Sequence, residues 1–480
     1  MRWVIWILLL SLLSVALKNS EQGLSGDAPL YASISENMIE SGDYFSLDAA
    51  VPDFKPNYNE HPHLSFWLQA LIFKVFGAHD WSARILGHIY YICFLLLFFF
   101  SLRALVSEAA AVIGVFILWI QPHFSATFSS FLLDPGALFW GCLFLALLSN
   151  SLRKNSNTYS ILAGLSLGLC ALTKGLTFLG FGLPAVFILV LHLTSPQKVT
   201  RATTKKELFW QSSKHSILAL GSFALIFFLY SFALSKSSSP DFLEYYWLRQ
   251  VSNRFSNLWT IKSVFLKEFW FPMLKDSLGF LLLIPFAFLT KRSKLKSIGI
   301  PLILFLSFVL SYAPAHRFGG QYLIMFLPSI AWLSAIALER IFKRYDLLIS
   351  FSQSASLLAF IVLQYTGIPI HGSAPSTPLK VLAESIQQEA KNENSVYLDS
   401  SPEHEHFISA SRLVWYSKAR VVYASDTPEA PSKHRRHYLY SPSNSTLELD
   451  RIAQIKNSGW CTYYQDQSTA IFKACSDLRF

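Results

Sequence analysis

Long apolar runs separated by short polar loops set the rhythm of this chain. A helix crossing the hydrocarbon core of a bilayer takes roughly 17–25 mostly apolar residues. Runs of that kind, some shorter, recur near 3–17, 85–102, 109–122, 131–149, 159–173, 176–193, 216–235, 278–290, 298–313, 321–338 and 347–365. The pattern predicts a polytopic α-helical membrane protein with about 11 transmembrane helices. Trp3–Leu17 also has the form of a signal peptide, being short and preceded by Arg2. No small-residue cleavage site follows it, so it reads as a retained first span.

Charge orients the spans, because loops rich in Lys and Arg stay in the cytoplasm. With the N-terminus inside, Arg2, Arg103, Arg153 and Lys154 fall on the cytoplasmic side. So do the clusters at 198–214, 291–296 and 340–344. That side carries a net +12, so the formal +10 of the whole chain is a topology signal and gives no support to a nucleic-acid partner. The expected location is the cytoplasmic (inner) membrane, multi-pass. Outer loops are expected at 18–84 and 236–277, with everything after 365 outside as well. The domain organisation read from this is a membrane domain over 1–365 and a small extracytoplasmic α/β domain over 366–480. In the latter, Leu379–Ala390 and Thr446–Ile455 have helical spacing, Ser395–Leu398 and Val421–Ala424 read as strands, and Thr462–Tyr464 with Thr469–Lys473 reads as a hairpin.

Composition agrees: 52% of residues are apolar and 15% charged, against about 45–50% and about 25% in soluble domains. A disordered chain is excluded, and the composition argues against a soluble single-domain enzyme. Cys93, Cys142 and Cys170 fall inside apolar runs as inert residues. Cys461 and Cys475 flank the hairpin, where a disulfide and two free thiols are both open readings.

Polar chemistry concentrates outside. The first outer loop is acidic, with a net −5, and two amphipathic helices are expected in it, Pro29–Ser41 and Leu64–Phe76, lying flat at the interface. Asp27 precedes the first at a cap position. Asn59-Glu60-His61-Pro62-His63 opens the second, and its carboxylate and imidazoles suit a divalent metal or a phosphate, or are simply polar residues at a helix start. Asp134 borders an apolar run, where a carboxylate costs roughly 2.5–3.5 kcal/mol and usually faces a cavity. Lys174 is a lone cation between two runs, either snorkelling to the interface or neutralising a phosphate. The second outer loop mixes Tyr245, Tyr246, Trp247, Trp259 and Trp270 with Arg249 and Arg254, and Arg317 lies near a later span end.

The order Gly26-Asp27, Tyr31-Ala32, Ser41-Gly42-Asp43-Tyr44, Tyr58, Glu60-His61-Pro62-His63-Leu64, Trp67, Phe76-Gly77 and Ala83-Arg84 resembles the GT-C class of membrane glycosyltransferases. Within that class it is similar to the branch of protein O-mannosyltransferases, lipid A aminoarabinose transferases and lipopolysaccharide galacturonosyltransferases. Leu133-Asp134-Pro135, Leu172-Thr173-Lys174-Gly175, Asn253-Arg254-Phe255, Phe271-Pro272 and Tyr322-Leu323 continue the order. Two positions depart from it: Ala28 follows Asp27 where the family has Asp-Glu, and His61-Pro62-His63 stands where it has Lys-Pro-Pro.

The resemblance implies transfer of a sugar from a polyprenyl-phosphate-linked donor to a glycolipid or protein acceptor, by inverting attack at the outer face. It implies Asp27 as general base, Glu60 and Asp134 as positioning carboxylates, and Lys174, Arg254 and Arg317 at the phosphate. His61, His63 and Tyr58 are the remaining substrate-binding candidates, and Glu60, His61 and His63 the set for a divalent metal ion. A transporter or flippase of lipid-linked glycans, and a glycan polymerase or ligase, are the competing readings.

Overall fold

A computed structural model of the chain describes residues 24, 26–48, 58–194, 204–248, 273, 277, 279–288, 295–312 and 320–341. Towards the C-terminus it describes 395–399, 415, 420–423, 437–440, 456–457, 460–465 and 470–474. The expected spans 3–17 and 347–365 lie outside the described residues, as do Arg249, Arg254, Trp259, Trp270, Arg317, Cys475 and the expected helices Leu379–Ala390 and Thr446–Ile455. The chain divides into two compact units. One comprises 59–65 and 84–370 with the first twenty residues, and the other 21–58, 66–83 and 371–480.

The described part of the first unit is helical. Its helices are α3 (Asp80–Arg103, whose first turn falls in the second unit), α4 (Glu108–Trp119), α5 (Pro122–Phe128), α6 (Leu133–Lys154), α7 (Asn157–Lys174), α8 (Gly182–Thr194), α9 (Lys205–Ser235), α10 (Phe242–Tyr246), α11 (Leu295–Tyr312) and α12 (Leu327–Ile341). Among the described residues, four stretches are long and apolar enough to cross a membrane: α3, α6, the run Asn157–Thr194, and α9. Beyond Lys214, helix α9 presents Ile217, Leu220, Phe228 and Phe232 outward, an apolar exposure that suits lipid rather than water. Helices α7 and α9 approach closely, since a Cβ on Gly164 would stand 2.0 Å from the Ala219 carbonyl oxygen.

Several expected spans are interrupted rather than continuous, for local reasons. The run 109–122 ends at Trp119 because Gln121 is held extended (ψ 117°) before Pro122, which starts α5. In 176–193, a 3₁₀ segment (Gly175–Phe181) precedes α8. In 278–290, Pro285 sits in a short 3₁₀ turn (Ile284–Ala287). In 321–338, a 3₁₀ segment (Gly320–Met325) precedes α12, whose second residue is Pro328.

Polar caps fix the helix starts. Ser107 accepts from the Ala110 amide at the start of α4, and its own amide donates to Glu339 at 3.0 Å. Thr204 and Glu207 form a reciprocal capping box on α9. Asn155 closes α6 in the left-handed region (φ 50°, ψ 50°), so that α6 and α7 form a tight hairpin.

The second unit holds α1 (Ala28–Ser41), most of α2 (Leu64–Phe76) and five strands. The strands are β1 (Ser395–Asp399), β2 (Arg420–Tyr423), β3 (His437–Tyr440), β4 (Trp460–Gln465) and β5 (Ala470–Ala474). They form one mixed sheet in the order β2-β1-β3-β5-β4. Strand β1 pairs in parallel with β2 and β3, while β5 pairs antiparallel with β3 and β4. Helix α1 departs from the flat interfacial helix expected from its periodicity. Ala28 to Ser35 are buried without a gap, so Ser33 and Ser35 are enclosed with Leu30 and Ile34, and Ile39 is only half-buried. Helix α2 leaves Leu71 and Val75 exposed. Trp415 is buried, stacks on Phe73 at 5.6 Å and donates from Nε1 to the Asp80 carboxylate at 2.7 Å.

Candidate active site

The first unit brings two of the expected site residues into contact. Asp134 lies in the first turn of α6 and Lys174 is the last residue of α7, so the two-residue hairpin turn sets them at the same end of both helices. Each complements the dipole of its own helix, a carboxylate at an N-terminus and a cation at a C-terminus. The Lys174 ammonium donates to Asp134 Oδ1. Both side chains are buried, 8% and 3% exposed, which replaces the snorkelling expectation for Lys174 with a paired interior charge. The same ammonium stands 4.3 Å from the centre of the Tyr322 ring, a cation–π contact. Tyr322 stacks in turn on Tyr312, ring centres 5.0 Å apart.

The backbone breaks at this point. Gly175 has φ +53° and ψ −125°, a conformation that suits glycine alone. A Cβ there would meet the Tyr246 hydroxyl at 1.7 Å. That hydroxyl accepts a hydrogen bond from the Leu176 amide at 3.0 Å, pairing one of the amide donors left open at the start of the 3₁₀ segment Gly175–Phe181. Tyr246 thus fastens α10 to the residues just after Lys174.

In the second unit, Asp27 is the N-cap residue of α1, but its side chain makes no capping hydrogen bond. The Tyr31 hydroxyl, one turn on, donates to Asp27 Oδ2 at 3.5 Å. Tyr31 packs edge-on against Phe66 and tilts towards Tyr58, which is itself buried and donates its amide to the Leu47 carbonyl. Trp67 closes the loop by donating to the Tyr44 carbonyl at 2.6 Å.

The Glu60-His61-Pro62-His63 segment divides by burial. Glu60 and His61 are half-exposed in a turn, while His63 is fully buried. His63 Nδ1 lies 2.7 Å from the Tyr230 hydroxyl, and its ring meets Phe242 edge-on at 4.8 Å. Among the described residues, no group of three His, Cys, Asp or Glu side chains is placed to hold a metal ion. With His63 buried against the Tyr230 hydroxyl and Glu60 and His61 half-exposed in the preceding turn, Glu60, His61 and His63 do not assemble into a metal-ligand set.

Sequence reasoning missed Tyr230 altogether, although a tyrosine in the apolar run 216–235 is a polar signal. For Tyr246 the sequence suggests an aromatic belt and gives no sign of the hydrogen bond its hydroxyl accepts from the Leu176 amide. Arg254 and Arg317 lie outside the described residues.

A family model described as dolichyl-phosphate-mannose-protein mannosyltransferase matches residues 60–231. No curated protein matches the chain by sequence. The fold is similar to that of ArnT from Cupriavidus metallidurans bound to undecaprenyl phosphate, with TM-score 0.73, 15% identity, and coverage of 99% of this chain and 98% of that one. It is also similar to the archaeal oligosaccharyltransferase AglB from Archaeoglobus fulgidus in complex with an inhibitory peptide and a dolichol-phosphate, with TM-score 0.52, 13% identity, and coverage of 98% and 74%. The oligosaccharyltransferase from the same organism in complex with Zn and sulfate gives TM-score 0.53, 13% identity, and coverage of 98% and 73%. ArnT and AglB are GT-C glycosyltransferases, and the resemblance to that class read in the sequence is present in the fold.

Proposed function

We propose that this chain is an integral membrane glycosyltransferase. It moves a sugar from a polyprenyl-phosphate-linked donor to a lipid (lipid A or lipopolysaccharide-like) or protein acceptor at the outer face of the cytoplasmic membrane. The observation that carries the reading is the buried Asp134–Lys174 pair at the break after α7, beneath Tyr322. A paired interior charge beside an interrupted helix suits a polar head-group site in an apolar bundle. The likeness to a protein solved with undecaprenyl phosphate supports a lipid-linked donor.

In this mechanism the acceptor hydroxyl gives its proton to Asp27 as its oxygen attacks the anomeric carbon. The bond from that carbon to the phosphate oxygen breaks with inversion, and polyprenyl phosphate leaves. Charge grows on the leaving phosphate, where Lys174, Arg254 and Arg317 stabilise it. Asp134 holds Lys174 in place, and Glu60, His61, His63 and Tyr58 line the substrates. If the acceptor is itself a phosphate, no base is needed and Asp27 orients it.

The wider architecture of the proposal is about 11 spans over 1–365, with outer loops 18–84 and 236–277. An extracytoplasmic α/β domain over 366–480 completes it. The grouping of 21–58 and 66–83 with 371–480 in one compact unit supports placing them on one side of the membrane.

The test is transfer by the purified full chain in detergent, reading release of polyprenyl phosphate from a synthetic lipid-linked sugar in the presence of glycolipid or peptide acceptors. Asp27→Asn is expected to abolish release. Full activity in that variant removes Asp27 from the mechanism, and no release by the native chain with any donor defeats the transferase reading.

A further inference from the structure

A cavity of about 490 Å³ opens among α3, α6, α8, α11 and α12, all within the first unit. It lies at the other end of the bundle from Asp134 and Lys174. Along α6, Arg153 is nineteen residues from Asp134, about 28 Å at 1.5 Å per residue and close to the thickness of the hydrocarbon core. The mechanism uses none of its lining.

The lining is graded. Its deep part is Phe94, Phe98, Cys142, Leu145, Leu304 and Trp332. Its polar residues, Ser101, Ser149, Asn150, Arg153 and His192, all come from the last turns of α3, α6 and α8. From Cys142 to Arg153 is eleven residues, about 16 Å of helix and about half the hydrocarbon thickness. The cavity therefore has the depth of one leaflet, apolar inside and cationic at its rim.

The neighbouring cations are engaged locally: Arg103 pairs with Glu108 at 3.1 Å, and Lys154 lies over the Tyr159 ring at 4.9 Å. Arg153 is exposed at the cavity, steadied by a hydrogen bond from Nη2 to Asn150 Oδ1 at 2.8 Å.

We infer that this cavity is a binding site for a bilayer phospholipid with an anionic head group, its acyl chain between α3 and α6 and its phosphate at Arg153. The occupant belongs to the leaflet on the Arg153 side, the leaflet opposite the Asp134–Lys174 pair. A phospholipid matches three properties together: a tail one leaflet long, a polar head at the end of it, and a negative charge that a guanidinium binds bidentately.

The experiment is native mass spectrometry of the full chain, delipidated in detergent and then offered phosphatidylglycerol or phosphatidylcholine. One retained phospholipid per chain is expected, with phosphatidylglycerol favoured by roughly fivefold. Arg153→Gln, at an exposed position, should erase that preference while keeping the bound lipid. Ala146→Trp, which fills the cavity from α6, should lose the lipid itself at an unchanged melting temperature. Absence of retained phospholipid, a preference unaltered by Arg153→Gln, or displacement of the phospholipid by polyprenyl phosphate would overturn the assignment. The native chain and Arg153→Gln decide the matter even if Ala146→Trp does not fold.

Discussion

Lys174 donates to Asp134 across the hairpin of α6 and α7, and neither side chain reaches water to any extent. Removing one member leaves the other charged and buried, a loss of about 3–5 kcal/mol. Lys174→Met and Asp134→Asn are each expected to lower the melting temperature of the detergent-solubilised protein sharply. The double variant should recover much of the loss. Additive losses in the double-mutant cycle would show that the two residues do not act as a pair.

Gly175 and Tyr246 are coupled by shape. Gly175→Ala is expected to destabilise strongly, because its Cβ meets the Tyr246 hydroxyl and its φ is positive. Gly175→Ala with Tyr246→Ala should regain the steric part and keep the backbone strain. Tyr246→Phe alone removes only the hydrogen bond to the Leu176 amide, about 1 kcal/mol. Melting curves of the three variants check this, and equal losses for Gly175→Ala with and without Tyr246→Ala would refute the contact.

Tyr230→Phe deletes the partner 2.7 Å from the buried His63 imidazole, an expected cost of about 1–3 kcal/mol. His63→Phe should be better tolerated than Tyr230→Phe if the histidine is there for packing against Phe242. If His63→Phe instead abolishes transfer while the fold survives, the imidazole has a chemical task beyond this hydrogen bond.

In the second unit, Trp415→Phe retains the ring that stacks on Phe73 and removes the hydrogen bond to Asp80, a charge-assisted bond of about 1.5–3 kcal/mol. Trp415→Ala removes both. Hydrogen exchange of peptides covering α2 and the start of α3 should rise modestly in the first variant and more in the second. Unchanged exchange in both would show that Trp415 does not anchor this corner.

Local periodicity located elements well and contacts poorly. Leu64–Phe76 is the helix expected from its spacing, and α1 begins one residue before the expected start. Strands β1, β2, β4 and β5 lie where alternation put them. These are properties of neighbouring residues. The partner of Asp134 is forty residues away and that of His63 one hundred and sixty-seven, and no local pattern encodes such pairings. Apolar content alone makes the interrupted spans look continuous, because it takes no account of the glycine and proline positions that break them. The sequence marks Asp134 and Lys174 each as an isolated charge beside an apolar run. What the sequence withheld was that each is the explanation of the other.

The hairpin turn at Asn155 has a consequence for how the chain enters its membrane. Asp134 and Lys174 open and close a single helix–turn–helix, so they arrive together at one end of a two-helix unit. Inserted singly, each helix would carry an unpaired charge at the same end, a cost that grows with its depth in the bilayer. Inserted as a hairpin, they enter as a neutral pair already joined. The biogenesis of this protein therefore favours handing α6 and α7 to the bilayer in one step, with the turn residue setting the register that cancels the charge.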